Sequence, residues 1–206
     1  MPEAPARLSP HVRATRRRRR AEILQAALRA FRERGYHATT LDDIANHLGL
    51  RKTALYHYFP DKEAILYACH LESLRELDRI MAAARAQAAG PAERLGYGIR
   101  EHVRVMTDTL QGSPLAFEVT ALSPAHQREI IRGRDAYEGA LRELIEQGIR
   151  TGELRPVNPK LAAFAILGAV NWIARWYRPD GPFQTQELGS RFAEQLVGGL
   201  ACSPRP

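Results

Sequence analysis

Only two cysteines, Cys69 and Cys202, occur in the 206 residues. That count excludes a disulfide framework and any CxxC metal or redox pair. Lysine is almost as scarce, with Lys52, Lys62 and Lys160 alone among 30 basic residues, so the positive charge is carried by arginine. No uncharged apolar run reaches membrane-spanning length and no signal-peptide core is present, so no membrane partner is expected, and a cytoplasmic location fits. Period-two alternation is missing, which argues against a sheet. The GxSxG, HExxH and phosphate-loop patterns of common enzymes are also missing. Gly96-Tyr97-Gly98 lacks a third glycine and a preceding strand, so it is no dinucleotide fingerprint. The seven histidines (11, 37, 47, 57, 70, 102 and 126) show no metal-ligand spacing. His102 beside Glu101 or Glu118 reads as helix surface or as a polar pocket pair. Neither enzymatic turnover nor a cofactor or metal is expected.

Present instead are helical periodicity almost everywhere and a lopsided charge. The net charge is +7. Residues 1–62 hold 13 Lys and Arg against 6 Asp and Glu, while residues 63–206 hold 17 of each. The whole excess lies in the first third, which suits a polyanionic partner there. Residues 1–15, rich in Pro, Ala and Arg, read as a disordered basic tail. The unbroken run Arg16 to Arg20 leads into a helix over about 17–35, with Leu24, Ala27, Leu28 and Phe31 as its apolar stripe.

Residues 40–62, TLDDIANHLGLRKTALYHYFPDK, organise this third. Thr40 is a helix N-cap with Asp43 in the capping-box position. Leu41, Ile44, Ala45 and Leu48 follow at helical spacing. Gly49 stands where a helix ends in a left-handed residue. A second short helix begins near Arg51, with Leu55 and Phe59 facing inward, and Pro60 stops it. This is a helix-turn-helix, whose second helix enters the DNA major groove. The outward candidates for groove contacts are Lys52, Thr53, His57 and Tyr58. Thr40, Tyr56 and Lys62 would position the phosphates, with Arg17 and Arg18 reaching phosphates or a flanking minor groove.

The stretch LGLRKTALYHYFPDKEAIL resembles the recognition-helix signature of TetR-type transcriptional regulators through Leu50, Leu55, Tyr56, Tyr58, Phe59, Lys62 and Glu63. The likeness covers about 16–66. It implies an all-α fold of about nine helices. A three-helix DNA-binding domain (16–62) would be followed by a helical ligand-binding and dimerisation domain (63–206). It also implies a homodimeric, ligand-responsive regulator, a repressor released from a palindromic double-stranded operator by a small apolar effector.

Beyond Lys62 the pattern gives helices over about 62–89, 92–110, 115–122, 124–150, 159–177 and 185–200, with breaks at 111–114, 151–159 and 178–182. In TetR-like proteins the last two helices build a dimer bundle. Phe164 and Gly168 on the first, with Leu188, Phe192 and Leu196 on the second, are the candidates, although the same residues also suit an intramolecular core. The segment Asn171-Trp172-Ile173-Ala174-Arg175-Trp176-Tyr177-Arg178 holds both tryptophans. It is similar to regulators of fatty-acid, phenylacetate or steroid breakdown that respond to acyl-CoA thioesters. On that likeness Phe117, Asn171, Trp172 and Trp176 would meet acyl chain or adenine, and Arg175 and Arg178 the CoA phosphates, with Leu110, Leu115 and Val119 lining a tunnel. The other readings are an efflux-type repressor sensing lipophilic cations through Glu118, an enzyme acting on CoA esters, and a DNA-packaging protein. The charge-neutral second part argues against the last.

Overall fold

The computed structural model describes residues 9–110 and 114–202. These form eight α-helices, with one isolated antiparallel bridge between Leu154 and Ala201. They are α1 (Pro10–Ala38), α2 (Leu41–Asn46), α3 (Lys52–Tyr56), α4 (Lys62–Ala86), α5 (Pro91–Arg104), α6 (Pro124–Thr151), α7 (Pro159–Trp176) and α8 (Thr185–Gly198). The expected tail at 1–8 and the expected break at 111–113 fall outside the described residues.

The tail expected over 1–15 is corrected at its inner end. Ser9 accepts a hydrogen bond from Val12 N at 3.3 Å and Pro10 starts the helix, so residues 10–15 are helical. A serine cap followed by a proline with preset φ is a strong start signal. α1 then carries its arginines on a continuous rod as far as Gly35, whose φ of +75° breaks the helix before a last turn. The single helix expected over 115–122 is two short 3-10 turns, Pro114–Phe117 and Val119–Ala121. α5 runs on into a π-helical turn, Val105–Thr109.

One continuous apolar core runs from Ile23 and Phe31 in α1, through Leu55, Leu66, Ile99, Met106 and Leu144, to Ala193 in α8. α8 lies along α5 and α7 along α6. The α5–α8 approach is close enough that a Cβ on Gly189 would stand 3.2 Å from the Arg100 carbonyl oxygen, so a side chain there would push the two helices apart by a few tenths of an ångström. Its neighbour Leu188 is 4 % exposed. Leu188, expected at a dimer seam, is therefore part of the subunit's own core, because this face of α8 is already covered by α5. Phe192 and Leu196 are half-buried against the core, whereas Phe164 and Gly168 are exposed.

Candidate functional site

The corner between α2 and α3 is built locally. Thr40 Oγ1 accepts from Asp43 N at 3.1 Å, and Asp43 Oδ2 accepts from Thr40 N at 2.8 Å, closing the expected capping box. These bonds, those from the Thr40 backbone first, hold the Asp43 carboxyl below its usual pKa. Gly49 has φ +63°, a conformation that other L-residues adopt with strain, and turns the chain into α3. Leu55 and Phe59 are buried beneath the corner.

On the outer face Thr53, Tyr56 and His57 are exposed, Tyr56 by 50 %. Lys52 is half-exposed, with its ammonium 3.4 Å from Asp42 Oδ2. Arg17 is exposed, and Arg18 lies 3.3 Å from Glu22.

Two expectations need correction. Tyr58 faces outward only in part; it is half-buried against the core, and its carbonyl accepts from Arg20 Nη1 at 2.6 Å. α3 is only five residues long, so its last turn leaves carbonyls unpaired within it. Arg20 supplies a donor and stacks its guanidinium 4.1 Å from the Phe59 ring centroid, while Arg16 reaches the His57 carbonyl at 3.5 Å. The arginine run thus divides, with Arg16 and Arg20 bracing α3 from behind and Arg17 left facing solvent.

Lys62 is likewise turned inward instead of toward a phosphate. Its Nζ donates to the carbonyl oxygens of Tyr36 (2.7 Å), Thr39 (2.8 Å) and His37 (3.2 Å) and lies 4.4 Å from the Tyr36 ring centroid. The broken end of α1 leaves its last carbonyls outside a continuing helix; that of Tyr36 also accepts from Thr39 N at 3.3 Å, and the Lys62 ammonium supplies a donor to all three. Burial pulls the Lys62 pKa below its usual value.

Behind this module, α4, α5, α6 and α7 line a partly open cavity of about 540 Å³. That is within the range of ligand pockets. Each wall is one helical stripe: His70, Ser73, Leu74 and Leu77 on α4, Arg134, Tyr137 and Glu138 on α6, and Lys160, Phe164, Leu167 and Asn171 on α7. Met106 in the π turn, Leu110, Leu115 and Phe117 close it.

Buried polar groups are conspicuous in this cavity. Tyr137 Oη lies 3.2 Å from His102 Nδ1, and burial holds His102 at about 4 and drives the Tyr137 hydroxyl above its usual range. Burial and the neighbouring Arg134 hold His70 at about 3. Both histidines are therefore neutral at pH 7. His102 is neither helix surface nor paired with Glu101, which binds Arg104 at 2.8 Å.

The expected effector residues separate. Phe117 and Asn171 line the cavity. Trp172, Arg175, Trp176 and Arg178 do not; Trp172, one residue past Asn171, has turned about 100° away, whereas Arg175, one turn on, is held against the Phe117 ring and Arg178 lies past the end of α7. Trp172 is 58 % exposed. Arg175, Trp176 and Arg178 instead line a second cleft of about 520 Å³, together with Arg32, Glu33 and Asp180. One contact links the two spaces: the guanidinium of Arg175, a cleft residue, lies 4.4 Å from the ring centroid of Phe117, a cavity residue. Val119 and Glu118 lie outside the cavity lining; Glu118 is 3.8 Å from His37.

The cavity residues His70, Arg134, Asp135, Glu138 and Lys160 were not expected. Their signal was a helical face that mixes ionisable with apolar residues, as at 70, 73, 74 and 77. Among the described residues no cluster suits a metal ion, and no helix is long and apolar enough to cross a membrane.

Residues 23–69 match the family described as bacterial regulatory proteins, tetR family, and residues 88–200 match the tetracyclin repressor-like C-terminal domain. The HTH-type transcriptional repressor KstR2 of Mycobacterium tuberculosis is 30 % identical over 194 residues, covering 88 % of this chain and 92 % of that protein. The structure of that ketosteroid transcriptional regulator superposes with a TM-score of 0.81 at 28 % identity, over 90 % of this chain and 96 % of the other. PfmR from Thermus thermophilus gives 0.77 at 35 % identity, over 87 % and 99 %. AibR, in complex with isovaleryl coenzyme A and operator DNA, gives 0.73 at 28 % identity, over 89 % and 98 %. With both halves matched, and with a helix-turn-helix corner joined to a body that holds a ligand-sized cavity, the chain belongs to the TetR family and is a ligand-responsive, DNA-binding transcriptional regulator.

Proposed function

We propose that this regulator is a cytoplasmic homodimeric repressor that leaves its operator when a CoA thioester binds, with the acyl group in the cavity and the CoA phosphates at the arginine cleft. The observation that carries the reading is the Arg175–Phe117 contact. It joins a cavity with apolar walls on Leu74, Leu77, Met106, Leu110 and Leu115 to a cleft holding Arg32, Arg175 and Arg178, and a thioester is a molecule with one apolar and one polyanionic end. Arg175 and Arg178 would meet the phosphates, and Trp176 the adenine. Isovaleryl coenzyme A bound to the related AibR supports the class. The competing lipophilic cation gains Asp135 and Glu138 as cavity acids, but Arg134 and Lys160 line the same space and would repel it.

Residues 16–62, extended by the helical arm at 10–15, would form the reading module. Lys52, Thr53 and His57 would meet base edges, and Tyr56, Thr40, Arg17 and Arg18 the phosphates. Two copies would pair through the exposed face of α7 at Phe164 and Gly168, with Phe192 and Leu196 of α8 alongside. Half-sites about 34–36 Å apart would then fit the two α3 helices.

α4 carries the signal. Its middle lines the cavity, and its first residue, Lys62, holds the end of α1. A ligand that favours a tilted α4 weakens operator binding, and the coupling is reciprocal. Fluorescence anisotropy with the gene's upstream duplex, titrated with short-chain and aromatic acyl-CoAs, is the test. Operator should weaken thioester affinity by the factor by which thioester weakens operator affinity, and a thioester affinity indifferent to saturating operator would refute the mechanism.

A further inference from the structure

Among the described residues, the buried side-chain polar atoms without a hydrogen-bond partner are His70 Nε2 and Glu138 Oε1. Both residues line the cavity, from facing helices α4 and α6. His70 is 2 % exposed. An unpaired buried polar atom costs the desolvation of that group, so native proteins keep few of them. Both atoms have almost no accessible surface, so a ligand completes the pairing by parting α4 from α6.

The chemistry of the missing partner follows from Arg134. Its Nη2 lies 3.5 Å from His70 Nδ1. A guanidinium only donates, so Nδ1 is the accepting nitrogen and the proton of the neutral ring sits on Nε2. Nε2–H is thus a donor lacking an acceptor. Glu138, one turn beyond Arg134 on the same face of α6, offers an acceptor lacking a donor. A plain hydrocarbon supplies neither. A ketone oxygen satisfies His70, and a hydroxyl can satisfy both.

We propose that the ligand carries an oxygen function, a ring ketone or a hydroxyl, on the part that enters between α4 and α6, and that His70 is the residue that reads it. This rests on the effector reading above and narrows the acyl group to an oxygenated one.

Isothermal titration calorimetry of the full-length protein tests it, with cyclohexanecarboxyl-CoA as the plain probe and its 3-oxo and 4-oxo analogues as the oxygenated ones. At least one oxo thioester should bind about tenfold tighter than the plain ring or more. His70→Leu should bring the ratio to within about twofold, and His70→Gln, which keeps an N–H, should retain part of it, with thermal melts confirming that each variant is folded. Equal affinity of the native protein for all three thioesters overturns the inference and leaves the effector reading intact. So does a preference that survives His70→Leu. Binding of none of the thioesters, nor of their free acids, overturns both. The comparison of probes on the native chain stands even where a variant fails to fold.

Discussion

Lys62 and Arg17 separate two roles that basic residues near DNA can have. The Lys62 ammonium is committed to three carbonyls at the end of α1, whereas Arg17 faces solvent beside the brace formed by Arg16 and Arg20. Lys62→Ala should therefore lower stability by about 2 kcal/mol, the loss expected for bonds to a charged donor. It should leave the dependence of operator binding on salt concentration unchanged. Arg17→Ala should do the opposite, reducing the log–log salt slope by about 0.9 with an unchanged melting temperature. Thermal melts and anisotropy titrations at several salt concentrations would distinguish them. The buried histidines make a second prediction at this scale. His102 and His70 have folded-state pKa values near 4 and 3, below the usual 6.5, and desolvation is the leading cause in each. Between those values and 6.5 the unfolded chain binds protons that the folded one does not. The stability they confer is thus complete above about pH 6.5 and falls as pH drops toward 4 and then 3. Each should cost about 2 kcal/mol between pH 7 and pH 5. Urea midpoints measured across that range should drop steeply for the native chain, and the slope should lose about one proton in His102→Gln.

At the scale of elements, what the sequence made legible was what is settled within a few residues. The Thr40–Asp43 box and the left-handed Gly49 span three residues or fewer, and both are present. The role of Lys62 is not legible in the same way, because its partners lie 23–26 residues upstream. The cavity was legible only in part because its polar wall joins His70 to Arg134, 64 residues apart. Helix periodicity shows that a face is buried without showing what it meets. A contact of the same long-range kind joins the first turns of α4 and α6. Glu63 Oε1 accepts from Ser123 N at 2.8 Å and lies 2.8 Å from His126 Nδ1, while the His126 ring stacks on Tyr67 at 3.7 Å and Tyr67 Oη donates to Glu129 at 2.6 Å. The backbone bond from Ser123, then His126, holds the Glu63 carboxyl below its usual range. This clasp sits next to Lys62, between the cavity helices and the DNA module. Glu63→Ala should uncouple them. Operator and effector would each still bind, but the factor by which one weakens the other, typically 5- to 150-fold (about 1–3 kcal/mol), should shrink toward one. A coupling factor unchanged in Glu63→Ala would show that the signal bypasses the clasp.

The whole molecule shows an imbalance that a second copy would relieve. Leu161, Phe164 and Trp172 are 65 %, 51 % and 58 % exposed, and Gly168 lies between them with nothing within 4 Å of the place where a Cβ would stand. Such a run on one helix face is unusual for a chain that stays alone in water. A glycine in an exposed helix interior is also unfavourable by about 1 kcal/mol relative to alanine, so in an isolated subunit Gly168→Ala would stabilise. If α7 packs against its symmetry mate, the bare Cα allows close approach of the two helices, and a large side chain there must push them apart. Gly168→Trp should leave each subunit helical and its cavity intact. Sedimentation equilibrium should then read a monomer in place of a dimer. Operator affinity should fall about 100-fold or more, since one half-site no longer raises the effective concentration at the other. A Gly168→Trp protein that still sediments as a dimer would move the interface off α7. The half-exposed seam of Phe192 and Leu196 on α8 would then be the face to substitute next.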